Sequence, residues 1–182
     1  ERAKTILGLL MDHPKLDINF VSKKSYKTAL GDACEKQELE MVKLLLEHPQ
    51  IQPSCNNNEA LCNAAYAGNP EVMKYLLNRG GIDPNLFTEI PLYNGLSPLA
   101  IACKYNEDEL AAMELLGHPK IDVCFVKHKK WSISESLEYY CREGSSEVVA
   151  HILKNFSDDL KYLRGPIVSK YINECAKKKK NQ

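Results

Sequence analysis

The stretch Thr28-Ala29-Leu30-Gly31-Asp32-Ala33-Cys34, followed by Glu40-Met41-Val42-Lys43-Leu44-Leu45-Leu46 and closed by His48-Pro49, decides the architecture. In its first part Leu30, Ala33 and Cys34 stand three and four residues apart, and in its second Met41, Leu44 and Leu45 do the same. That is the spacing of one helical face, so the stretch reads as two short helices. The pair recurs. Leu61 to Ala65 precedes Glu71-Val72-Met73-Lys74-Tyr75-Leu76-Leu77, Leu99 to Cys103 precedes Glu109 to Leu116, and Leu137 to Cys141 precedes Glu147 to Leu153. Leu30, Leu61, Leu99 and Leu137 are separated by 31, 38 and 38 residues, a loose period whose differences the connecting loops must absorb.

Turn chemistry joins the two helices of each unit. In Ala67-Gly68-Asn69-Pro70 the glycine can close the first helix and the proline open the second. His48-Pro49 and His118-Pro119 end second helices, because proline lacks an amide hydrogen and drives its predecessor out of helical geometry. After each stop the chain extends through Lys15-Leu16-Asp17-Ile18-Asn19, Gln50-Ile51-Gln52, Ile82-Asp83-Pro84-Asn85 or Lys120-Ile121-Asp122-Val123. Asn94-Gly95 then gives a hairpin signal, since both residues tolerate positive φ. Each unit is expected to project a finger between successive helix pairs.

Helix pair, extended finger and turn together resemble the ankyrin repeat, whose pattern runs Thr-Pro-Leu-His-x-Ala-Ala, a glycine turn, Glu-Ile-Val-x-Leu-Leu-Leu and Gly-Ala-Asp-Val-Asn. Ser97-Pro98-Leu99 with Ala102, Ala64-Ala65, Gly68, Gly144, Ile82-Asp83 and Ile121-Asp122 carry the match. The resemblance covers roughly residues 3 to 156. It implies an all-α ankyrin solenoid with a partial repeat over 1–22, four repeats at about 23–53, 54–91, 92–129 and 130–156, and capping helices over 157–182 ending in a lysine-rich tail. The sequence departs from the pattern where His-Pro replaces glycine, where residues 84 to 97 enlarge a loop, where the helix between Asn106 and Leu116 gains about one residue, and where Tyr139-Tyr140 replaces small residues. The His-Pro-x-Ile-Asp endings are similar to those of ankyrin arrays in intracellular bacteria and protists.

Composition narrows the function. Over 182 residues, 24 basic and 24 acidic side chains balance, which disfavours nucleic acid as a partner. No apolar run reaches the roughly 18 to 20 residues of a membrane span. Seven cysteines without a Cys-x-x-Cys pair fit a reducing compartment, the cytoplasm, or the host cytosol if the protein is a secreted effector. The start at Glu1, without a methionine, suggests a segment of something longer.

No nucleophile elbow, phosphate loop, zinc-protease motif or dinucleotide fingerprint is present, so no enzyme activity and no cofactor are expected. His13, His48 and His118 share one repeat position before proline and read as helix-end residues that satisfy terminal carbonyls, while Cys34, Cys103 and Cys141 read as small core fillers. No metal site is expected. Glu107-Asp108-Glu109 and Asp158-Asp159 read as charges at helix N-termini.

The resemblance implies a concave binding face built from first helices and finger tips. Register places Lys36, Tyr66, Lys104, Tyr105 and Arg142 on its helices, and Tyr93 and Trp131 on its fingers, beside Asn58 and Leu96. The expected function is a scaffold, with one copy of the chain holding a protein or peptide partner on this row. An alternative makes the chain the recognition part of a larger enzyme or effector. A weaker one has Lys127, Lys129 and Lys130 gripping an anionic ligand beside Trp131, which alternatively folds back onto Tyr139; the sequence leaves both open.

Overall fold

In a computed structural model, residues 2–155 are described except 12, 88, 107–108, 128, 131–132 and 144–145. The expected capping helices over 157–182, and Trp131, lie outside the described residues. Helix α1 (Arg2–Met11) comes first and is followed by four helix pairs. These are α2 (Ala29–Glu35) with α3 (Leu39–Glu47), α4 (Cys55–Ala67) with α5 (Pro70–Arg79), α6 (Pro98–Tyr105) with α7 (Leu110–Leu116), and α8 (Ile133–Arg142) with α9 (Ser146–Asn155). First helices stack on first helices, α2 on α4 and α4 on α6, while second helices stack α3 on α5, α5 on α7 and α7 on α9. The result is an all-α ankyrin solenoid in which each pair touches its neighbours.

The helices begin and end where their sequences dictate. Thr28 Oγ1 accepts from Gly31 N at 3.0 Å and Ser97 Oγ from Ala100 N at 3.3 Å, so each hydroxyl satisfies an orphan amide of the first turn. Asn69 Oδ1 accepts from Glu71 N and Val72 N in front of Pro70. Gly68 closes α4 with φ of 78°. The αL conformation and the Asn106 side chain, 2.1 Å from where a Cβ would stand, both demand glycine there. α3 stops at Glu47 and His48 turns extended before Pro49, as the proline rule requires.

One continuous core runs from Ile18 to Ile152. It is filled by aliphatic side chains such as Val42, Leu45, Leu46, Leu76 and Leu115, and by small first-helix residues such as Ala64, Ala65 and Ala102 that let neighbouring helices approach. Cys34 and Cys103 are buried among them, whereas Cys141 is only half-buried. Tyr139 and Tyr140 fill the last pair, with their hydroxyls directed to Ala100 O at 3.4 Å and Val123 O at 3.2 Å.

The fingers differ from the expected hairpins. Asn94 and Gly95 do take positive φ, 49° and 69°, but they close a short 3-10 helix, Pro91–Tyr93, rather than joining two strands. Asn56, Asn57 and Asn58 take φ of 55°, 53° and 64°, so the right-handed part of α4 begins at Glu59. Asparagine is the non-glycine residue that tolerates this region best. The finger ahead of α8 is a two-stranded antiparallel ladder, β1 (Phe125–Lys127) with β2 (Lys129–Lys130). Val126 O accepts from Ser97 N at 2.8 Å and ties this finger to the one before it.

Candidate functional site

The last turns of α4 and α6 bring two aromatic residues together. Tyr66, in the last turn of α4, is half-buried, and Tyr105 ends α6 with 38 % of its surface exposed. Their ring centroids are 5.2 Å apart in an edge-on arrangement of 64°. Lys104 holds its ammonium 5.4 Å from the Tyr105 centroid, within range of the ring's negative face. Lys36 and Arg142 stand exposed at the C-terminal ends of α2 and α8. Each has a carboxylate four residues earlier: Asp32 lies 2.6 Å from Lys36, and Glu138 lies 3.8 Å from Arg142. Register thus brings Tyr66, Lys104 and Tyr105 together, with Lys36 and Arg142 on the equivalent turns of neighbouring helices.

Tyr93 is a correction. It was expected on a finger surface, yet only 1 % of it is exposed. Its ring lies under Tyr66, centroids 5.6 Å apart, and its hydroxyl donates to Asn63 Oδ1 at 2.5 Å. The signal in the sequence was the apolar character of the enlarged loop, where Tyr93 and Leu96 stand close together and are both buried, although Leu92 beside them is exposed. Leu96 is likewise buried, as is Asn58, whose Nδ2 donates to Asp83 O at 2.8 Å.

Below the aromatic row lies a polar network that the sequence did not disclose. Asn63 Nδ2 donates to Gly31 O at 3.0 Å and to Glu59 Oε1 at 2.7 Å. Glu59 Oε2 accepts from Thr28 N at 3.0 Å and Thr28 Oγ1 at 2.7 Å. Glu59 is wholly buried, and burial raises its carboxyl above the ordinary range, with the Thr28 and Asn63 donors and the Lys27 charge acting the other way. Burial also pushes the Tyr93 phenol upward, so it remains a donor at neutral pH. The chain Thr28, Glu59, Asn63, Tyr93 therefore links α2, α4 and the enlarged loop and fixes the floor on which Tyr66 rests.

Other expected residues take plainer positions. His13, His48 and His118 accept through Nδ1 from the backbone amides of Lys15, Gln50 and Lys120, each at 3.2 Å. They organise the turn after the helix as acceptors, a correction to the expectation that they serve helix carbonyls. Glu109 has an αL backbone, and its carboxylate accepts from Glu147 N at 3.1 Å, so its charge complements the N-terminus of α9 instead of its own helix. Glu107, Asp108 and Gly144 lie outside the described residues, and Asp158 and Asp159 lie in 156–182, likewise outside them. Lys127 and Lys129 are cross-strand partners in the finger ladder, and Lys130 pairs with Phe125. Among the described residues, no three His, Cys, Asp or Glu side chains converge as metal ligands.

The family model described as ankyrin repeats (3 copies) matches residues 2–88. This segment of the chain is an array of ankyrin repeats. The pairs α6 with α7 and α8 with α9 continue the ankyrin stack beyond the matched segment. Ankyrin repeats generally mediate protein–protein interaction and are generally non-catalytic. No curated protein matches this ankyrin chain significantly. No helix among the described residues is long and apolar enough to cross a membrane.

Proposed function

We propose that the concave face of the stack binds a protein or peptide partner, anchored by Tyr66, Lys104 and Tyr105 and flanked by Lys36 and Arg142. The observation that carries this reading is the contact of Tyr66 with Tyr105 under the Lys104 ammonium. Aromatic rings already held by packing lose little conformational freedom on binding, which is why such residues dominate interface energetics. Tyr66 is held from below by Tyr93, whose hydroxyl is fixed by Asn63, so the row is stiff before a partner arrives.

Tyr105→Ala is expected to cost about 1 to 4 kcal/mol of binding while leaving stability nearly unchanged. Capture from cell lysate by the wild type, beside a Tyr66→Ala/Tyr105→Ala variant whose fold is verified by circular dichroism, tests it. A partner held by the first and lost by the second supports the concave site; a partner held equally by both moves binding to another face. A second reading puts an anionic ligand on Lys127, Lys129 and Lys130, drawing on their closeness in the finger ladder. Its signature is a steep fall of affinity with added salt.

A further inference from the structure

The turns by which the chain leaves α1, α3, α5 and α7 occupy residues 13–19, 48–54, 79–85 and 118–124 in one register, and they are not fastened alike. Asn19 in the first turn grips the second with both arms of its amide: Nδ2 donates to Gln50 O and Oδ1 accepts from Gln52 N, each at 2.8 Å. Asn85 in the third turn grips the fourth in the same way, through Lys120 O at 2.8 Å and Asp122 N at 2.7 Å. Between the second turn and the third, Ser54 stands in the asparagine register, with a single hydroxyl and no second arm. That step is carried by Asn58, whose Nδ2 donates to Asp83 O at 2.8 Å and to Leu86 O at 3.4 Å, while its buried Oδ1 meets no donor. The grip is made on one arm only. Arg79 Nη2 adds a bond to Leu46 O at 3.0 Å, from a long side chain that can follow a shift of the backbone.

The backbone of the third turn differs as well. His-Pro opens the other three turns, at 13–14, 48–49 and 118–119, and proline fixes φ. Arg79-Gly80 takes its place, and Gly80 and Gly81 adopt φ of 81° and 75°. No atom lies within 4 Å of the Cβ that either would carry, so the glycines serve backbone freedom and not packing. At the other end of the helices the same step is tied: Asn106 Nδ2, in the turn after α6, donates to Ala65 O in the last turn of α4 at 2.7 Å. The step is fastened at one end and half-fastened at the other, which is the arrangement of a hinge. An amide oxygen buried without a donor is costly, so movement that brings one to Asn58 Oδ1 is favoured.

We infer that the stack carries a hinge between the α4 with α5 pair and the α6 with α7 pair, pivoting on the Asn106 end and opening at the exit turns. Tyr66 and Tyr105 meet across this step, so flexing alters the gap between them and with it the width of segment the row accepts. That consequence rests on the concave reading; the hinge itself does not. Nitroxides on encoded keto residues at Lys74 and Ala150, exposed on α5 and α9, leave the seven cysteines untouched and span the half-fastened step and the Asn85 step. Double electron–electron resonance is expected to show a broad distance distribution in the otherwise unchanged chain. Ser54→Asn, which supplies the missing asparagine, is expected to narrow it. Arg79→His/Gly80→Pro, which gives the third turn the His-Pro of the others, is expected to narrow it as well. Asn85→Ser, which releases a fastened step, broadens it further. A distribution already narrow without any of these changes, or a broad one that neither Ser54→Asn nor Arg79→His/Gly80→Pro narrows, would overturn the hinge. Indifference to Asn85→Ser would overturn it too, by showing that these amide grips do not stiffen the stack. Each of these results leaves binding at Tyr66 and Tyr105 to be decided by the capture experiment.

Discussion

Glu59 is a carboxylate placed where a repeat of this kind expects a threonine, and its surroundings explain why the fold keeps it. Its two oxygens take three donors from Thr28 and Asn63, so the buried charge is hydrogen-bonded on both sides. Gly31 makes the room: a Cβ there would stand 1.9 Å from Glu59 Oε1. The glycine in α2 is thus a close-approach residue, and its poor helix propensity is offset by the network it admits. Burial nevertheless raises the Glu59 carboxyl above its ordinary 4.5. The folded state therefore holds this proton more tightly than the unfolded chain does. The contribution of Glu59 to stability is greatest below pH 4.5 and falls as pH rises through its elevated folded value. Glu59→Gln has no proton to release. Urea midpoints of wild type and Glu59→Gln, measured from about pH 4 to about pH 8, are expected to show the wild type losing ground to the variant as pH rises above the unfolded value, and a level gap once the folded carboxyl has ionised. A gap between the two that stays constant with pH would contradict a buried, proton-retaining Glu59.

Between elements, the turns after the second helices act as clamps between repeats. Asn19 Nδ2 donates to Gln50 O at 2.8 Å, and Asn19 Oδ1 accepts from Gln52 N at 2.8 Å. Asn85 repeats the pair with Lys120 O at 2.8 Å and Asp122 N at 2.7 Å. Asp17 and Asp83 shape each turn by accepting from the amide two residues on. Removing the Asn85 amide leaves a carbonyl and an amide of the next turn without this partner, so Asn85→Ala is expected to lower stability by about 1 to 3 kcal/mol in urea unfolding. A loss below about 0.5 kcal/mol would mean that water replaces the clamp freely. Helices were legible from the sequence because their apolar spacing and end signals, such as Asn69-Pro70 and Gly68, are local. The clamp was visible only as Asp-x-Asn, since its partners lie 31 to 37 residues away. The same distance hid Tyr93: Asn-Gly predicted a turn correctly, but nothing local says that the residue before it reaches Asn63, 30 positions back. Lys36, Tyr66, Lys104, Tyr105 and Arg142 were assigned by register alone, a method that depends on regular spacing and that misplaced Tyr93 at the enlarged loop.

At the scale of the whole molecule, a stack of this kind has no central core to which every element contributes, and its cooperativity depends on how strongly adjacent pairs are coupled. Here the buried side chains form one cluster from Ile18 to Ile152, and polar bridges, among them the Thr28 to Tyr93 network and the Asn19 and Asn85 clamps, cross between pairs. Such coupling predicts that damage at one end is felt at the other. Leu45 on α3 is a fitting place to test this, since only 2 % of it is exposed and it lies near the N-terminal end. Leu45→Ala is expected to cost about 2 to 5 kcal/mol through lost burial and the cavity left behind. Trp131, the single tryptophan, precedes α8 in the sequence and gives a local fluorescence signal, while far-UV circular dichroism reports the helices as a whole. If the pairs unfold as one unit, urea curves from both probes shift together in Leu45→Ala and stay superimposed. A variant in which the dichroism transition moves but the Trp131 transition does not would show that the α2 to α5 end melts independently, with coupling across the α4 to α6 contact weaker than the repeats themselves.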